Sequence, residues 1–231
     1  MVQRLFGDRA WRVAVEEISL APVWLTLLAV AFLLVGDRTG RRGWEWISKP
    51  VAAAGFLWAA WSWGALESDY GQWVLVGLAL SATGDVLLIP KGKSRWFLAG
   101  ISAFLLGHVA YVIAFSTLPL ALPAGLIAAA IMAAVAWGIL HWLLPSVEGR
   151  LRIPVMAYIA VISAMVVMAV AAVAGGAHWA LAVGALGFAA SDLAVARNRF
   201  LAPGFVNRLW GLPLYFASQL LIAYTVSTTV S

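Results

Sequence analysis

The sequence contains no cysteine, which excludes disulfides and thiolate chemistry. Charge is scarce: Asp, Glu, Lys and Arg make up 11% of the 231 residues, against ~25% in an average soluble domain. The three histidines, His108, His141 and His178, form no HxxxH or HxxE pair, so the spacing of a zinc site is missing. There is no GxSxG elbow, no Walker loop and no GxGxxG. Ser81 and Ser191 have no histidine at local spacing, and a serine–histidine pair drawn from two helices stays open. The alternation expected of an outer-membrane barrel is also missing, which excludes strands. What is present is apolar: 64% hydrophobic residues and a mean hydropathy of +0.94. That composition is one of a multi-pass integral membrane protein. In such a chain the net charge of +5 reports topology first, and is no signal for nucleic acid.

Apolar runs of spanning length recur. They predict an all-α bundle of eight transmembrane helices, at about 20–36, 50–66, 72–90, 96–117, 124–144, 154–174, 178–196 and 209–229. Residues 1–231 read as one transmembrane domain, in which 1–19 is a surface segment and 20–229 the bundle. The surface segment carries charges of both signs and lacks the apolar core of a signal peptide. Proline and glycine mark the joints, and tryptophans cluster near the ends, as an aromatic belt requires. Arg38, Arg41, Arg42 and Lys49 fall between spans 1 and 2, and Lys91, Lys93 and Arg95 between 3 and 4. Arg150 and Arg152 fall between 5 and 6, and Arg197, Arg199 and Arg208 between 7 and 8. The intervening loops have no Lys or Arg. The positive-inside rule therefore puts these four loops in the cytoplasm and both termini outside, with Arg4, Arg9 and Arg12 as a counter-signal.

Two carboxylates stand out. Asp85 lies in "SATGDVLLIP" and Asp192 in "GFAASDLAVAR", both in apolar surroundings. Aligning them puts Gly77 on Gly184, and spans 2 and 6 both enter through proline, in "KP" and "RIP". This pattern suggests two parallel four-helix halves. Both aspartates sit roughly 7–8 Å inside the cytoplasmic ends of their helices, by the rise per residue. Each shares a face with small residues that permit close helix approach. Spans 3 and 7 are expected to be neighbours, with the carboxylates roughly 4–10 Å apart. A structural role pairs each aspartate with a loop Arg or Lys. A functional role follows from the cost of an ionisable group in a span, ~2.5–3.5 kcal/mol at the centre. His108 and Tyr111 share a stripe on span 4, Tyr215 and Gln219 share one on span 8, and Tyr158 lies on span 6. His108 is either a hydrogen-bonded core residue or a ligand-facing proton donor. Lys49 either snorkels or meets a phosphate at the rim.

"GLALSATGDVLL", "FLAGISAFLLGHVAY", "GALGFAASDLA" and the "KP" entering span 2 together resemble the YhhN-like lysoplasmalogenases, over about residues 49–219. The resemblance implies hydrolysis of the vinyl ether bond of lysoplasmalogens. The products would be a fatty aldehyde and a glycerophospho-ethanolamine or -choline. The matching positions are Lys49, Ser81, Asp85, His108, Tyr111, Ser191 and Asp192; Gly84 precedes one aspartate and Ser191 the other, so the halves are not strictly symmetric. Vinyl ether cleavage protonates the β-carbon, gives an oxocarbenium ion, adds water and collapses the hemiacetal. Two carboxyl groups can supply the acid, the stabilising anion and the base, as in glycoside hydrolysis, with no metal or cofactor required. Asp192, with the more apolar flank, is expected to be the acid. A lysophospholipid would place its head at the basic cytoplasmic rim, near Lys49 or Arg197, and its tail among the helices. The bacterial-type inner membrane is the expected location. The alternative is a transporter or lipid-binding protein that uses the aspartates for proton coupling.

Overall fold

The computed structural model describes residues 19–90 and 94–229. The surface segment expected at 1–19, with Arg4, Arg9 and Arg12, and the loop lysines Lys91 and Lys93 lie outside the described residues, apart from Ser19. Eight α-helices fill the described chain: α1 (Ala21–Arg38), α2 (Glu45–Ser62), α3 (Asp69–Leu87), α4 (Ser94–Ser116), α5 (Leu122–Leu143), α6 (Gly149–Ala174), α7 (Ala180–Ala196) and α8 (Phe205–Ser227). This is an all-α membrane bundle. Six of the eight are long and apolar enough to cross a membrane. The other two, α2 and α3, carry Glu45, Lys49, Ser81 and Asp85, and those polar groups are buried inside the protein rather than facing lipid.

The helices start where local chemistry allows. Ser68 caps α3, its hydroxyl accepting from the Gly71 amide at 3.0 Å. Pro22 and Pro123 open α1 and α5, where a missing N–H costs little. Pro50 and Pro154 did not start their helices as expected. Each lies inside, as the sixth residue of α2 and of α6. One backbone bond is lost near a helix end, which flanking packing tolerates. The consequence reaches the site: Lys49 belongs to a helix and is 6% exposed, not in a rim loop.

Packing follows the glycines. A Cβ on Gly77 would come within 2.5 Å of the Tyr111 ring, and one on Gly84 within 2.6 Å of Phe104. These positions let α3 lie directly on α4. On the other side, Gly187 faces Ser218 and Gly211 faces Ala194, so α7 lies equally close to α8.

The helix pairs repeat with a period of four. α1 packs on α2 as α5 packs on α6, α3 on α4 as α7 on α8, and α2 on α3 as α6 on α7. The two halves meet through α4 on α6 and α8 on α2, which are equivalent pairs, and α8 also packs on α1 and α3. Six helices thus close a ring, α2–α3–α4–α6–α7–α8, with α1 and α5 outside it. Spans 3 and 7 are not close-packed neighbours; α8 lies between them, packing on both. The reason is the small-residue faces: they draw α3 onto α4 and α7 onto α8 rather than onto each other.

Candidate active site

The end of the ring where α2 and α6 begin and α3 and α7 finish holds both aspartates. Asp85 is 3% exposed. Its Oδ2 accepts from the Tyr215 hydroxyl at 2.7 Å, and its Oδ1 lies 3.6 Å from Lys49 Nζ. Asp192 is half-buried. Its Oδ2 accepts from the Tyr158 hydroxyl at 2.7 Å and lies 3.6 Å from His108 Nε2. The His108 Nδ1 is 2.6 Å from the Phe104 carbonyl oxygen. A carbonyl only accepts, so Nδ1 carries the hydrogen. In the neutral ring Nε2 is then a lone pair aimed at Asp192, with no hydrogen-bond partner of its own.

The two environments are related by the repeat. Each aspartate is met by one group from the preceding helix, Lys49 or Tyr158, and one from the last helix of the opposite half, Tyr215 or His108. Gly77 and Gly184, Asp85 and Asp192, and His108 and Tyr215 are all separated by the same 107 residues. The symmetry is one of position and not of charge. Asp85 has a lysine, whereas among the described residues the only basic side chain in ion-pair range of Asp192 is His108.

Both aspartates line one cavity of about 730 Å³. Lys49, Tyr158, Ser191 and Tyr215 line it too. Ser191 donates its hydroxyl to the Phe188 carbonyl at 2.7 Å. Five other predicted residues lie off its wall. His108 is 1% exposed and backs Asp192 from the protein interior. Tyr111 donates to Gln219 Oε1 at 2.7 Å, both fully buried. Ser81 is buried where α3 meets α4, beside Gly107. Arg197 donates to Asn207 Oδ1.

The lining also includes residues that the sequence reading counted only for topology or passed over. Arg199 lies with its guanidinium 4.3 Å from the Phe97 ring centroid, and both line the cavity. Arg208 joins Asp37 at the end of α1 to Glu45 at the start of α2. Asn207, 2% exposed, donates to Asn198 Oδ1 and to the Ala202 carbonyl, and so ties the five-residue π-turn Arg197–Leu201 to α8. One signal was readable: "VARNRF" directly after an acidic span crowds polar groups at a helix end. Their convergence on the cavity needed the fold.

Fold and site together define a class: a polytopic helical membrane protein with two acidic side chains, differently compensated, on a large apolar cavity near one end of the bundle. The chain belongs to the YhhN family, whose model matches residues 44–226. It is 35% identical over 156 residues to human lysoplasmalogenase TMEM86A, covering 65% of this chain and 63% of that protein. It is 39% identical over 160 residues to a lysoplasmalogenase of Mycobacterium bovis, covering 65% and 59%. Human lysoplasmalogenase TMEM86B is 35% identical over 172 residues, covering 74% and 69%. The match therefore spans less than two thirds of the length of TMEM86A and of the mycobacterial relative. No solved structure matches the chain.

Proposed function

We propose that this protein hydrolyses the vinyl ether bond of lysoplasmalogens, releasing a fatty aldehyde and a glycerophospho-ethanolamine or -choline. The observation that carries the reading is the pair Asp85 and Asp192 on one cavity, the first held against Lys49 at 3.6 Å and the second against His108 at 3.6 Å. The family membership and the similarity to lysoplasmalogenases agree with it.

The chemistry assigns the two carboxyls different work. Asp192, without a Lys or Arg partner, transfers its proton to the vinyl β-carbon. The electron pair of the C=C bond takes that proton, and the adjacent carbon becomes an oxocarbenium centre. Asp85, its charge balanced by Lys49, remains an anion that stabilises this cation. Water attacks the oxocarbenium carbon and gives its proton to the Asp192 carboxylate, while His108 Nε2 accepts or returns a proton behind it. The hemiacetal then collapses: Asp192 gives its proton to the departing glycerol oxygen as the C–O bond breaks, and the resulting Asp192 carboxylate takes the hydroxyl proton as the aldehyde forms, which restores the acid. Acid and base have exchanged roles within one residue, as in retaining glycoside hydrolysis.

Arg199 and Arg208 line the cavity, and Arg150, Arg152 and Arg197 lie at the same end of the bundle, at the start of α6 and the end of α7, so the positive-inside rule orients the active site toward the cytoplasmic side. Arg199 and Arg208, both on the cavity wall, suit the phosphodiester of the head group. The test is aldehyde release by purified protein in liposomes supplied with a lysoplasmalogen. Aldehyde formed by wild type and lost in Asp192→Asn supports the reading. Wild-type protein that releases none refutes it.

A further inference from the structure

A second cavity, of about 280 Å³, lies between α5, α6 and α7. Its wall is entirely apolar and includes Ala128, Ile131, Met132, Val166, Val170 and Leu186. Ile131, Met132 and Leu186 also line the site cavity, so the two cavities adjoin. α5 is outside the ring and is close-packed mainly on α6. The slot it leaves beside α7 is open along its length: Ile127 is 64% exposed, Ile131 57% and Leu186 48%.

Such a wall offers water no partner and offers a hydrocarbon chain continuous dispersion contact. Along α6 the lining passes from Tyr158, Ile159 and Ile162 in the site cavity to Val166 and Val170 in the second, so an occupant spanning both has its polar end at Asp192 and Tyr158. From Tyr158 to Val170 the groove follows α6 for about 18 Å by helix rise, the extended length of a chain of roughly fourteen carbons. We propose that the α5–α6–α7 groove holds the alkenyl chain of the substrate and measures its length, with Ala124 and Val170 at the far end setting the limit. This rests on the proposed lysoplasmalogenase reading. The substrate enters sideways from the bilayer between α5 and α7, head group last, without leaving the membrane.

The test compares wild type with Val170→Trp and Leu186→Trp, using lysoplasmalogens of about ten to about eighteen carbons and reading kcat/KM at each length. Leu106→Trp is the control, because Leu106 is 54% exposed on α4 and lines neither cavity. In Val170→Trp the ratio of long-chain to short-chain kcat/KM should fall about tenfold or more, while the control keeps the wild-type ratio. Leu186→Trp, nearer the site, should depress both long and middle lengths. A length profile unchanged from wild type in both variants, or an equal loss at every length, overturns the groove. A second reading uses 1-O-alkyl lysophospholipids, which have no vinyl bond to cleave. Their stabilisation of the protein against heat should grow with chain length, then level off, and should level off earlier in Val170→Trp. If wild type cleaves nothing but this pattern holds, the functional reading fails and the groove stands. If wild type cleaves but the pattern is absent, the reverse is true.

Discussion

Asp192 and Asp85 are alike in residue type and unlike in electrostatic company, and that difference sets what each substitution should do. Asp192→Asn keeps the Tyr158 contact and the shape but cannot give up a carboxylic proton. Turnover should fall by ~10²–10⁴-fold with folding preserved. Asp85→Asn should lose a comparable factor through the missing anion, and the double variant should be little worse than either single one. Aldehyde release beside thermal melts checks all three. Near-wild-type rates in both single variants would make the aspartates structural. Lys49 was expected at the rim, where its loss would raise KM. In the structure it is buried against Asp85, so Lys49→Met strands a charge. The expected cost is about 3–5 kcal/mol of stability, much of it recovered in Lys49→Met with Asp85→Asn. Melting temperatures of the four proteins test this. A double variant no more stable than Lys49→Met removes the pair as the cause.

At the scale of the element, the close approach of α3 and α4 depends on two glycines. Gly77→Val must push the Tyr111 ring, which is held by Gln219. Overpacking of this kind costs about 1–3 kcal/mol. Gly138, in α5, has nothing within 4 Å of a Cβ. Gly138→Ala should therefore stabilise by roughly 0.4–1 kcal/mol, because only the unfolded chain loses freedom. Denaturation in a fixed detergent compares the two. A stabilised Gly77→Val would mean that α3 and α4 can separate without loss. The prolines teach a related lesson about elements. Pro50 and Pro154 read as helix starts, yet each helix begins five residues earlier. Proline breaks one backbone bond, and near an end the flanking turn outweighs it.

At the scale of the molecule, the four-helix period makes each half a plausible folding unit. The halves meet across α4 with α6 and α2 with α8, and the α4–α5 link runs through the short segment 117–121. Cutting the chain there and expressing residues 1–119 with 120–231 should restore membrane-inserted, active protein, at a reduced yield. Either half alone should be degraded, since its ring faces are left uncovered. Pull-down of one tagged half with the other, followed by aldehyde assay, decides it. Halves that fold separately and do not associate would show that the period is only a pattern.

Composition and apolar run length determined the fold class and the number of helices, and made the two intramembrane aspartates legible. These are local properties: a lipid environment demands long apolar helices, and a carboxylate inside one is legible wherever it falls. Small-residue faces on the third and seventh spans were legible for the same reason. The tertiary structure alone decided what those faces meet, and it set α3 on α4 and α7 on α8 instead of α3 on α7. It alone distinguished the aspartates, because which side chain of the neighbouring helix α2 and of the distant helix α4 reaches each carboxylate, Lys49 or His108, is set by packing. It also decided that Tyr111, Gln219 and Ser81 support the site from behind while Arg199 and Arg208 face the cavity. Hydrophobic periodicity says only that a residue is turned inward. Whether it then meets a ligand or another side chain depends on which helix stands opposite, and that is a property of packing.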